Sequence, residues 1–415
     1  MTATDRGADR GSRPGSPGSL RAANRQRLLD AVRNLGPMTQ TEVARATGLS
    51  AGTVSNLVHE LTETGMLTAV GGAPRGRRGR LLSIAPPEGL ALGVDVGHRH
   101  LRVVLAGWTL TPLAEQRVDS PDGQTARQTL FRAAQLIDQV LSSAAIDQSE
   151  VIGVGLGLPA PIDSGTGKVG APMILPGWQG VQAADLASDV LGRPVVVDND
   201  ANLGALAETL QGAAQGTRSV AYIKISGGVG AGLVMDGQIF RGPDGTAGEI
   251  GHASLDEYGA LCRCGNRGCL ETLVRTPVLL RLLEPTHGSD LSVARMVALA
   301  HDGDTACRRL IIDAGRQVGL AAANMCNLLN PERIVLGGEL SQAADLLIEP
   351  MRDVISRHGI PSAARRVDIV PAALGSRSQV LGVVALALRA SERPPDRIDH
   401  RAPIIHSMQR SVLEL

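Results

Sequence analysis

The 415-residue sequence lacks two features that would place it in or across a membrane: a long apolar run and an apolar export signal. No run reaches eighteen apolar residues, so no membrane-spanning helix is expected. Residues 1–19 are rich in Gly, Ser, Arg and Pro, which predicts a disordered arm instead of a signal. We therefore expect a cytoplasmic protein, long enough for two or three domains.

Net charge is also absent, because 41 basic residues balance 41 acidic ones, but the charges are unevenly placed. Residues 1–85 hold twelve arginines and six acidic residues, so the first module is basic and the rest of the chain is acidic. This arrangement indicates a polyanionic partner for the module alone. A solvated basic surface without a partner is the simpler alternative.

Cysteine is scarce, with five in the chain, and three of them crowd into eight residues. His252 precedes these three, giving the pattern H-x9-C-x-C-x4-C with Cys262, Cys264 and Cys269. In a chain without an export signal, such crowding favours metal over disulfides. Three thiolates and one imidazole make a closed tetrahedral set, which predicts a structural Zn²⁺. The alternative is three buried thiols without metal.

Residues 20–85 show the pattern of three helices followed by a hairpin. Thr39 and Glu42 fit a capping box for a short helix, and Ser50 can cap the next one. Two short helices separated by a short turn make a helix-turn-helix. The hairpin strands, at 67–70 and 81–84, complete a small-winged helix-turn-helix domain.

Two groups of side chains in this domain suit double-stranded DNA. Small or hydrogen-bonding residues on the third helix fit base edges in the major groove; they are Ser50, Gly52, Thr53, Ser55, Asn56 and His59. Arginines at the hairpin tip fit phosphates or a narrow minor groove; they are Arg75, Arg77, Arg78 and Arg80. The alternative is a helical protein-interaction domain with a solvated basic loop.

Beyond a linker at 86–89, strands and helices alternate up to residue 388, which predicts an α/β architecture in two lobes. The predicted strands cover 90–96, 101–106, 151–156, 195–197, 220–225 and 334–336, and the predicted helices cover 125–144, 200–211, 306–329 and 341–357. Cys307 and Cys326 lie in helical stretches and are predicted core residues. Residues 390–415 have little periodicity and are predicted to form a loose tail.

Several acidic and amide side chains follow strands or flank the cysteine loop. Asn199 and Asp200 follow a strand and open a helix, while Glu249 and Glu271 lie on either side of the loop. Sugars need such acceptors, because each hydroxyl must be satisfied on leaving water. A carboxylate at Asp200 could also act as a general base. Taken singly, each acid is equally typical of a helix cap or a surface charge.

Seven segments of the body together resemble the ROK family, which groups repressors, uncharacterised reading frames and sugar kinases. They are residues 93–97, 155–159, 175–178, 198–202, 248–252, 262–271 and 330–338. The added helix-turn-helix is similar to the repressor branch of the NagC, XylR and Mlc types. The resemblance implies a two-lobed, sugar-kinase-like domain of the actin and hexokinase type over residues 90–388.

By this resemblance, five residues fall on the family's sugar-binding positions: Asn199, Asp200, Glu249, His252 and Glu271. Asp200 falls on the catalytic base of the family's kinases. His252 would ligate the zinc and also face the sugar, and the zinc would fix the loop that holds the sugar acceptors.

The sequence departs from the family's kinases at both phosphate-binding turns. Residues 95–100 read Asp-Val-Gly-His-Arg-His where the kinases have Asp-x-Gly-Gly-Thr, and Gly227 replaces a threonine in the second turn. Phosphoryl transfer depends on positioning the phosphates, so efficient kinase activity is not expected. Residues 172–175 also differ from the family's glucokinases, so the resemblance does not identify the sugar.

Three functions are compatible with these patterns. The first is a repressor whose kinase-like lobes close on a sugar or sugar phosphate and modulate operator binding, acting at the nucleoid. The second is an ATP-dependent kinase of a hexose or amino sugar with a regulatory DNA-binding arm. The third is an activator or architectural regulator without ligand response. Paired operator half-sites require paired helices, so a homodimer or homotetramer is expected.

Overall fold

A computed structural model of the chain describes residues 17–35, 38–70, 80–85, 89–120, 123–163, 165–170 and 175–391. The chain divides into two compact units, Met1–Pro86 and Pro87–Leu415, and this division falls at the linker expected from the sequence. Arg75, Arg77 and Arg78 of the predicted wing tip lie outside the described residues, as do residues 1–16 of the predicted arm and 392–415 of the predicted tail.

The first unit contains three helices and a two-stranded antiparallel sheet, as the sequence predicted. They are α1 (Pro17–Leu35), α2 (Gln40–Thr47), α3 (Ala51–Glu63), β1 (Leu67–Val70) and β2 (Leu81–Ile84). Helix α1 begins at Pro17, so residues 17–19 are helical and not part of a disordered arm. Leu28, Val43, Val54 and Leu61 are fully buried and form the centre of its core.

Local chemistry fixes the two helices of the helix-turn-helix. Thr39 and Glu42 form a reciprocal capping box at the start of α2. Gly48 ends that helix at a φ of 69°, in the left-handed region that glycine adopts without strain. The Ser50 hydroxyl then accepts the Thr53 backbone N–H at 3.1 Å and begins α3. These caps set the turn between the two helices.

The second unit consists of two lobes, each built on a five-stranded sheet with the same arrangement. In both sheets the central strand pairs antiparallel with one neighbour and parallel with the other, and the outer strand on each side pairs with its neighbour in the same sense. The sheet orders are β5-β4-β3-β6-β7 and β10-β9-β8-β11-β12. This repeated α/β layout matches the predicted two-lobed architecture.

The first lobe packs α4 and α5 against its sheet around fully buried Leu92, Leu130 and Leu156. Its elements are β3 (Leu90–Val96), β4 (His100–Ala106), β5 (Pro112–Asp119), α4 (Ala126–Ala144), β6 (Val151–Leu158), α5 (Ala183–Leu191), β7 (Val195–Asn199) and α6 (Asp200–Gln211).

The second lobe packs its helices around fully buried Ile223, Ile311 and Leu336, and buries Cys307 and Cys326 as predicted. Its elements are β8 (Val220–Ile225), β9 (Val229–Met235), β10 (Gln238–Phe240), α7 (Glu271–Val274), α8 (Thr276–His287), α9 (Val293–His301), α10 (Thr305–Leu329), β11 (Arg333–Gly337), α11 (Ala344–His358), α12 (Pro361–Ala364) and β12 (Asp368–Pro371). The last described element is α13 (Ser378–Ser391), so residues 390–391 belong to a helix and not to the predicted tail.

Helices α6 and α13 cross closely in the second unit. Every residue from Asp200 to Glu208 is buried. A side chain at Gly382 of α13 would lie 1.9 Å from the Leu203 carbonyl of α6, so only glycine permits this approach.

Among the described residues, no helix is long and apolar enough to cross a membrane.

Glu208 ties the end of α6 to the segment that leads into α13. Its fully buried carboxylate accepts four hydrogen bonds at 2.7–3.0 Å, from the backbone N–H groups of Ala213, Ala373 and Leu374 and from the Ser378 hydroxyl. Charged acceptors with several buried donors contribute strongly, because removing them leaves each donor unsatisfied.

We expect Glu208→Ala to lower the free energy of unfolding by about 3–5 kcal/mol, because buried donors lose their acceptor. Urea denaturation followed by circular dichroism measures this. Glu349→Ala is the control, since Glu349 is exposed and pairs only with Arg352 one helical turn away. Equal stability of the two variants would contradict the proposed importance of this carboxylate.

Candidate functional site

A cavity in the second unit is lined by residues from both lobes. Asn199 and Asp200 come from the junction of β7 and α6, whereas Glu249, His252 and Glu271 come from the second lobe. The structure therefore brings the five predicted sugar-site residues to one cavity. Asn199 itself has a structural role there, because its side-chain oxygen accepts the backbone N–H groups of Ala201 and Asn202 and caps α6.

The predicted metal ligands form one cluster. The ligand atoms of His252, Cys262, Cys264 and Cys269 all lie within 4.8 Å of one another. His252 Nδ1 is 3.6 Å from Cys262 Sγ, and Cys264 Sγ is 3.7 Å from Cys269 Sγ. Tetrahedral zinc would place nitrogen and sulfur about 3.6 Å apart and two sulfurs about 3.8 Å apart, from its usual bond lengths. The donor set thus fits a tetrahedral metal ion.

Backbone geometry holds the cysteine loop tight. The Cys262 N–H donates to the Asn266 carbonyl at 2.7 Å. Gly268 has a φ of 60°, and a side chain there would meet the Asp256 carbonyl at 1.7 Å. His252 points Nδ1 towards the thiols, while its Nε2 lies 3.8 Å from Glu249 Oε2 on the cavity side. One imidazole therefore contacts both the metal cluster and the cavity.

Arg263, which lies between two of the cysteines, binds the cavity carboxylate of Glu271. Its Nε donates to Oε1 at 2.7 Å and its Nη2 to Oε2 at 2.8 Å, while the Val229 N–H also donates to Oε2 at 3.2 Å. Burial works to raise the pKa of Glu271, but Arg263 outweighs it and lowers the pKa. A carboxylate has about four acceptor positions, so roughly one remains for a ligand.

Glu249 is the cavity carboxylate with the most acceptor capacity. Burial raises its pKa to about 7, and the neighbouring charges of Asp200 and Glu271 add to the effect. Its distance of 3.8 Å from His252 Nε2 is too long for a hydrogen bond. A ligand hydroxyl in the cavity would supply the hydrogen bonds that this carboxylate needs.

Lys224 forms an ion pair with Asp200, the residue that falls on the catalytic-base position of the family's kinases. The ammonium, carried by β8, forms a hydrogen-bonded ion pair with Asp200 Oδ2. Burial opposes the charge, but the Asp200 carboxylate raises the pKa of Lys224, so the ammonium stays protonated. Burial raises the pKa of Asp200 and Lys224 lowers it only in part, but the ammonium holds Oδ2, so Asp200 would have to break the ion pair to act as a base through that oxygen. Lys224 was not predicted, although one charged residue inside an apolar strand was a usable signal.

His98 fills the space between the two turns that bind ATP phosphates in the kinases. A side chain at Gly227 would lie 3.1 Å from His98 Cδ2, so the ring covers the second turn. Burial lowers the pKa of His98 to about 3, with Lys224 and Arg263 adding to the shift, so the ring is neutral. His100 Nε2 lies 3.0 Å from Asp95 Oδ2 and engages the first turn. Together they occupy the phosphate side of the cavity.

In the first unit, some of the predicted DNA-contacting residues are exposed on the outer face of α3, whereas others form hydrogen bonds within the protein. Gly52, Ser55, Asn56 and His59 are exposed, and nothing lies within 4 Å of a Cβ placed at Gly52. The hydroxyls of Ser50 and Thr53 instead engage each other at 2.9 Å. His59 lies 3.4 Å from Glu63, so the end of this face also carries an acid. Arg80 is exposed at the start of β2.

Comparison with known proteins decides the family. A model described as the ROK family matches residues 91–390, and one described as the MarR family matches residues 26–79. The chain belongs to the ROK family. The predicted family and the fold, a sugar-kinase-like body with a winged helix-turn-helix, are thereby confirmed.

Three relatives illustrate where this ROK protein stands. It is 27% identical to a xylose repressor of Caldicellulosiruptor bescii, over 89% of this chain and 96% of the relative. It is 33% identical to a glucokinase of Halalkalibacterium halodurans, over 70% of this chain and 92% of the relative. A solved ROK family transcriptional regulator, a homologue of the Escherichia coli Mlc protein, superposes with a TM-score of 0.69 at 25% identity, covering 90% of this chain and 96% of that chain.

The coverage separates regulators from kinases. The similarity to the xylose repressor covers 96% of that repressor and 89% of this chain. The MarR family model matches the N-terminal module at residues 26–79. This ROK protein carries a DNA-binding module and is similar to transcriptional repressors over nearly their whole length, as the sequence predicted, whereas the kinase alternative has less support.

We expect the wild-type protein to release no ADP above the sugar-free background when ATP is supplied with hexoses or amino sugars. The reason is that His98 covers the second phosphate turn and Lys224 holds Asp200. A coupled ADP-release assay, with a ROK glucokinase as positive control, measures this. Sugar-dependent turnover of about 1 per second or more, a usual enzyme rate, would contradict the expectation.

Proposed function

We propose that this ROK protein is a sugar-responsive repressor of operator DNA whose effector occupies the cavity between the two lobes. The observation that carries the proposal is the division of the cavity. One side keeps the acceptors Glu249 and Glu271, while on the other His98 covers the phosphate turn and Lys224 holds one of the two carboxylate oxygens of Asp200. Such a cavity can bind a sugar without phosphorylating it.

The effector class we propose is a sugar or sugar phosphate. Glu249 offers most of the acceptor capacity, Glu271 offers a remaining position beside Arg263, and His252 presents Nε2 to the same cavity. Asn199 and Asp200 complete the site from the first lobe. The name of the xylose repressor supports a sugar effector for this chain too.

Zinc is the metal we propose for the cluster of His252, Cys262, Cys264 and Cys269. The thiolate and imidazole donors and their spacing favour Zn²⁺. All four tetrahedral positions are taken by protein ligands, so the ion's contribution is structural. It would fix the loop on which Arg263 reaches Glu271 and in which His252 turns towards the cavity.

The effector can act on DNA binding only by favouring one arrangement of the protein over another. A ligand held by Asp200 from one lobe and Glu249 from the other would favour closed lobes, with the crossed helices α6 and α13 at the junction. We propose that this closure lowers operator affinity.

The partner we propose for the first unit, residues 20–85, is double-stranded operator DNA in the cytoplasm, at the nucleoid. The exposed face of α3 with Asn56 would enter the major groove, Ser50 and Thr53 would stabilise its N-terminus, and the wing arginines would contact phosphates. A homodimer or homotetramer would match paired half-sites. The body at 90–388 would carry the effector site.

We expect Glu249→Gln to weaken effector binding by about 10- to 100-fold at a pH above about 8, where the Glu249 carboxyl with its pKa of about 7 is ionised, because a hydrogen bond to a charged acceptor contributes about 1.5–3 kcal/mol. The effector is first identified by thermal shift with xylose, glucose, N-acetylglucosamine and their phosphates, and its affinity is then measured by calorimetry. Glu257→Gln is the matched control, because Glu257 is exposed outside the cavity. Unchanged affinity of the Glu249 variant would place the effector elsewhere.

We expect the double change of Arg77 and Arg78 to Ala to weaken operator binding and to reduce the slope of log K against log salt by about two, since each phosphate contact contributes about 0.9. Fluorescence anisotropy at several salt concentrations measures both quantities. Changing Arg309 and Arg316 to Ala removes the same charge from α10 and should leave the slope unchanged. A slope unaffected by the wing change would rule out phosphate contacts by these arginines.

A further inference from the structure

Three potential ligand atoms meet where α8 ends and α10 begins, outside the effector cavity. His287 is the last residue of α8, Asp304 caps α10, and Cys307 lies in its first turn. His287 Nε2 is 3.1 Å from Asp304 Oδ2 and 3.7 Å from Cys307 Sγ, and the three ligand atoms lie within 4.8 Å of one another. Both neighbours thus approach the same ring nitrogen.

Hydrogen bonds around His287 hold the ring with that nitrogen facing Asp304 and Cys307. The Thr286 hydroxyl lies 3.1 Å from the Leu283 carbonyl, a bond in which it must donate its one proton. Its oxygen can then only accept from His287 Nδ1, which lies 2.8 Å away. Nδ1 therefore carries a proton, and Nε2 is the ring nitrogen that faces a carboxylate oxygen and a sulfur and can present its electron pair to a cation between them. Hydrogen bonds to the other ring nitrogen orient metal-binding histidines in this way.

The carboxylate of Asp304 is also oriented for a cation. Its Oδ1 accepts the Cys307 backbone N–H at 2.8 Å as the cap of α10, which fixes Oδ2 towards His287. Nε2, Oδ2 and Sγ thus converge on one point, where a bound cation would replace the protons that otherwise lie between them. The distances agree with this, because tetrahedral zinc would place nitrogen and sulfur about 3.6 Å apart and nitrogen and oxygen about 3.3 Å apart.

The first cluster provides an internal reference for these distances. There, the corresponding nitrogen–sulfur separation is 3.6 Å, against 3.7 Å here. The second cluster differs in having three protein ligands, two of which, His287 and Asp304, are partly exposed. A water molecule can therefore complete a tetrahedron from the solvent side.

We propose that His287, Asp304 and Cys307 form a second Zn²⁺ site, separate from the cysteine loop. On binding, the ion replaces the thiol proton of Cys307, which passes to solvent, and Nε2, Oδ2 and Sγ become the protein ligands. The site joins the end of α8 to the start of α10. It thereby closes the segment 288–303, which contains α9.

The test is the zinc content of the full-length protein, purified with zinc present and passed over a chelating resin, measured by inductively coupled plasma mass spectrometry. We expect two zinc ions per chain in the wild type and one in Cys307→Ala. Cys326→Ala is the matched control, because Cys326 is another buried thiol of α10 outside both clusters, and it should keep two. One zinc in the wild type, or an unchanged content in Cys307→Ala, would overturn the proposal.

Two further variants separate this site from the first cluster and from misfolding. Cys264→Ser should also lose one zinc, but a different one, so combining it with Cys307→Ala should leave none. His287→Gln removes the second ligand without opening a core cavity, and should hold one zinc with an unchanged far-ultraviolet circular dichroism spectrum. Co²⁺ loading gives a second readout: Cys307→Ala should lose part of the thiolate-to-cobalt absorption, and full retention of that absorption would contradict the proposal.

Discussion

The buried ion pair between Asp200 and Lys224 is the interaction on which the character of the cavity depends. Asp200 begins α6 after the first sheet, and Lys224 lies within β8, the central strand of the second sheet, so the pair joins the two lobes at the floor of the cavity. Two charges removed from water require each other, since either alone would be strongly unfavourable. The same pair occupies Oδ2 of Asp200, so the carboxylate would have to break the pair to accept a proton at that oxygen. One contact therefore supports the fold and engages the residue at the kinase-base position.

The cysteine loop also shapes the cavity. Its cysteines fix a short backbone path, and Arg263 projects from that path onto Glu271. His252 belongs to both the cluster and the cavity, and Glu249 lies one helical turn before it. The conformation of the loop therefore sets the positions of Arg263 and His252 in the cavity. The neutral ring of His98 closes the remaining side, so the cavity is shaped for a ligand smaller than a sugar with ATP.

The sequence predicted the modules well because each one has a local signal. The Thr39–Glu42 capping box, the left-handed Gly48 and the cysteine spacing all depend on neighbours within a few residues. It missed β5, whose burial alternates irregularly along an edge of the sheet, and β9, whose glycines resemble a loop. Gly232 of β9 is required by a distant partner, the Ala201 carbonyl of α6, which lies 2.2 Å from where a Cβ would be. Arg263 and Lys224 were missed for the same reason, because their partners are defined by the tertiary fold.

The position of Arg263 has a consequence for how such a protein can change. The residue stands between Cys262 and Cys264 of the Cys/His cluster, so its backbone is held whichever side chain it carries, and that side chain points at an acceptor of the cavity. A single substitution there would alter which hydroxyl or charge the cavity prefers while leaving the loop's shape intact. The residue that sets the ligand preference of the cavity and the cysteines that stabilise the loop are thus adjacent in sequence, but they can vary independently. New effector preferences could then arise in this scaffold without an intermediate that fails to fold.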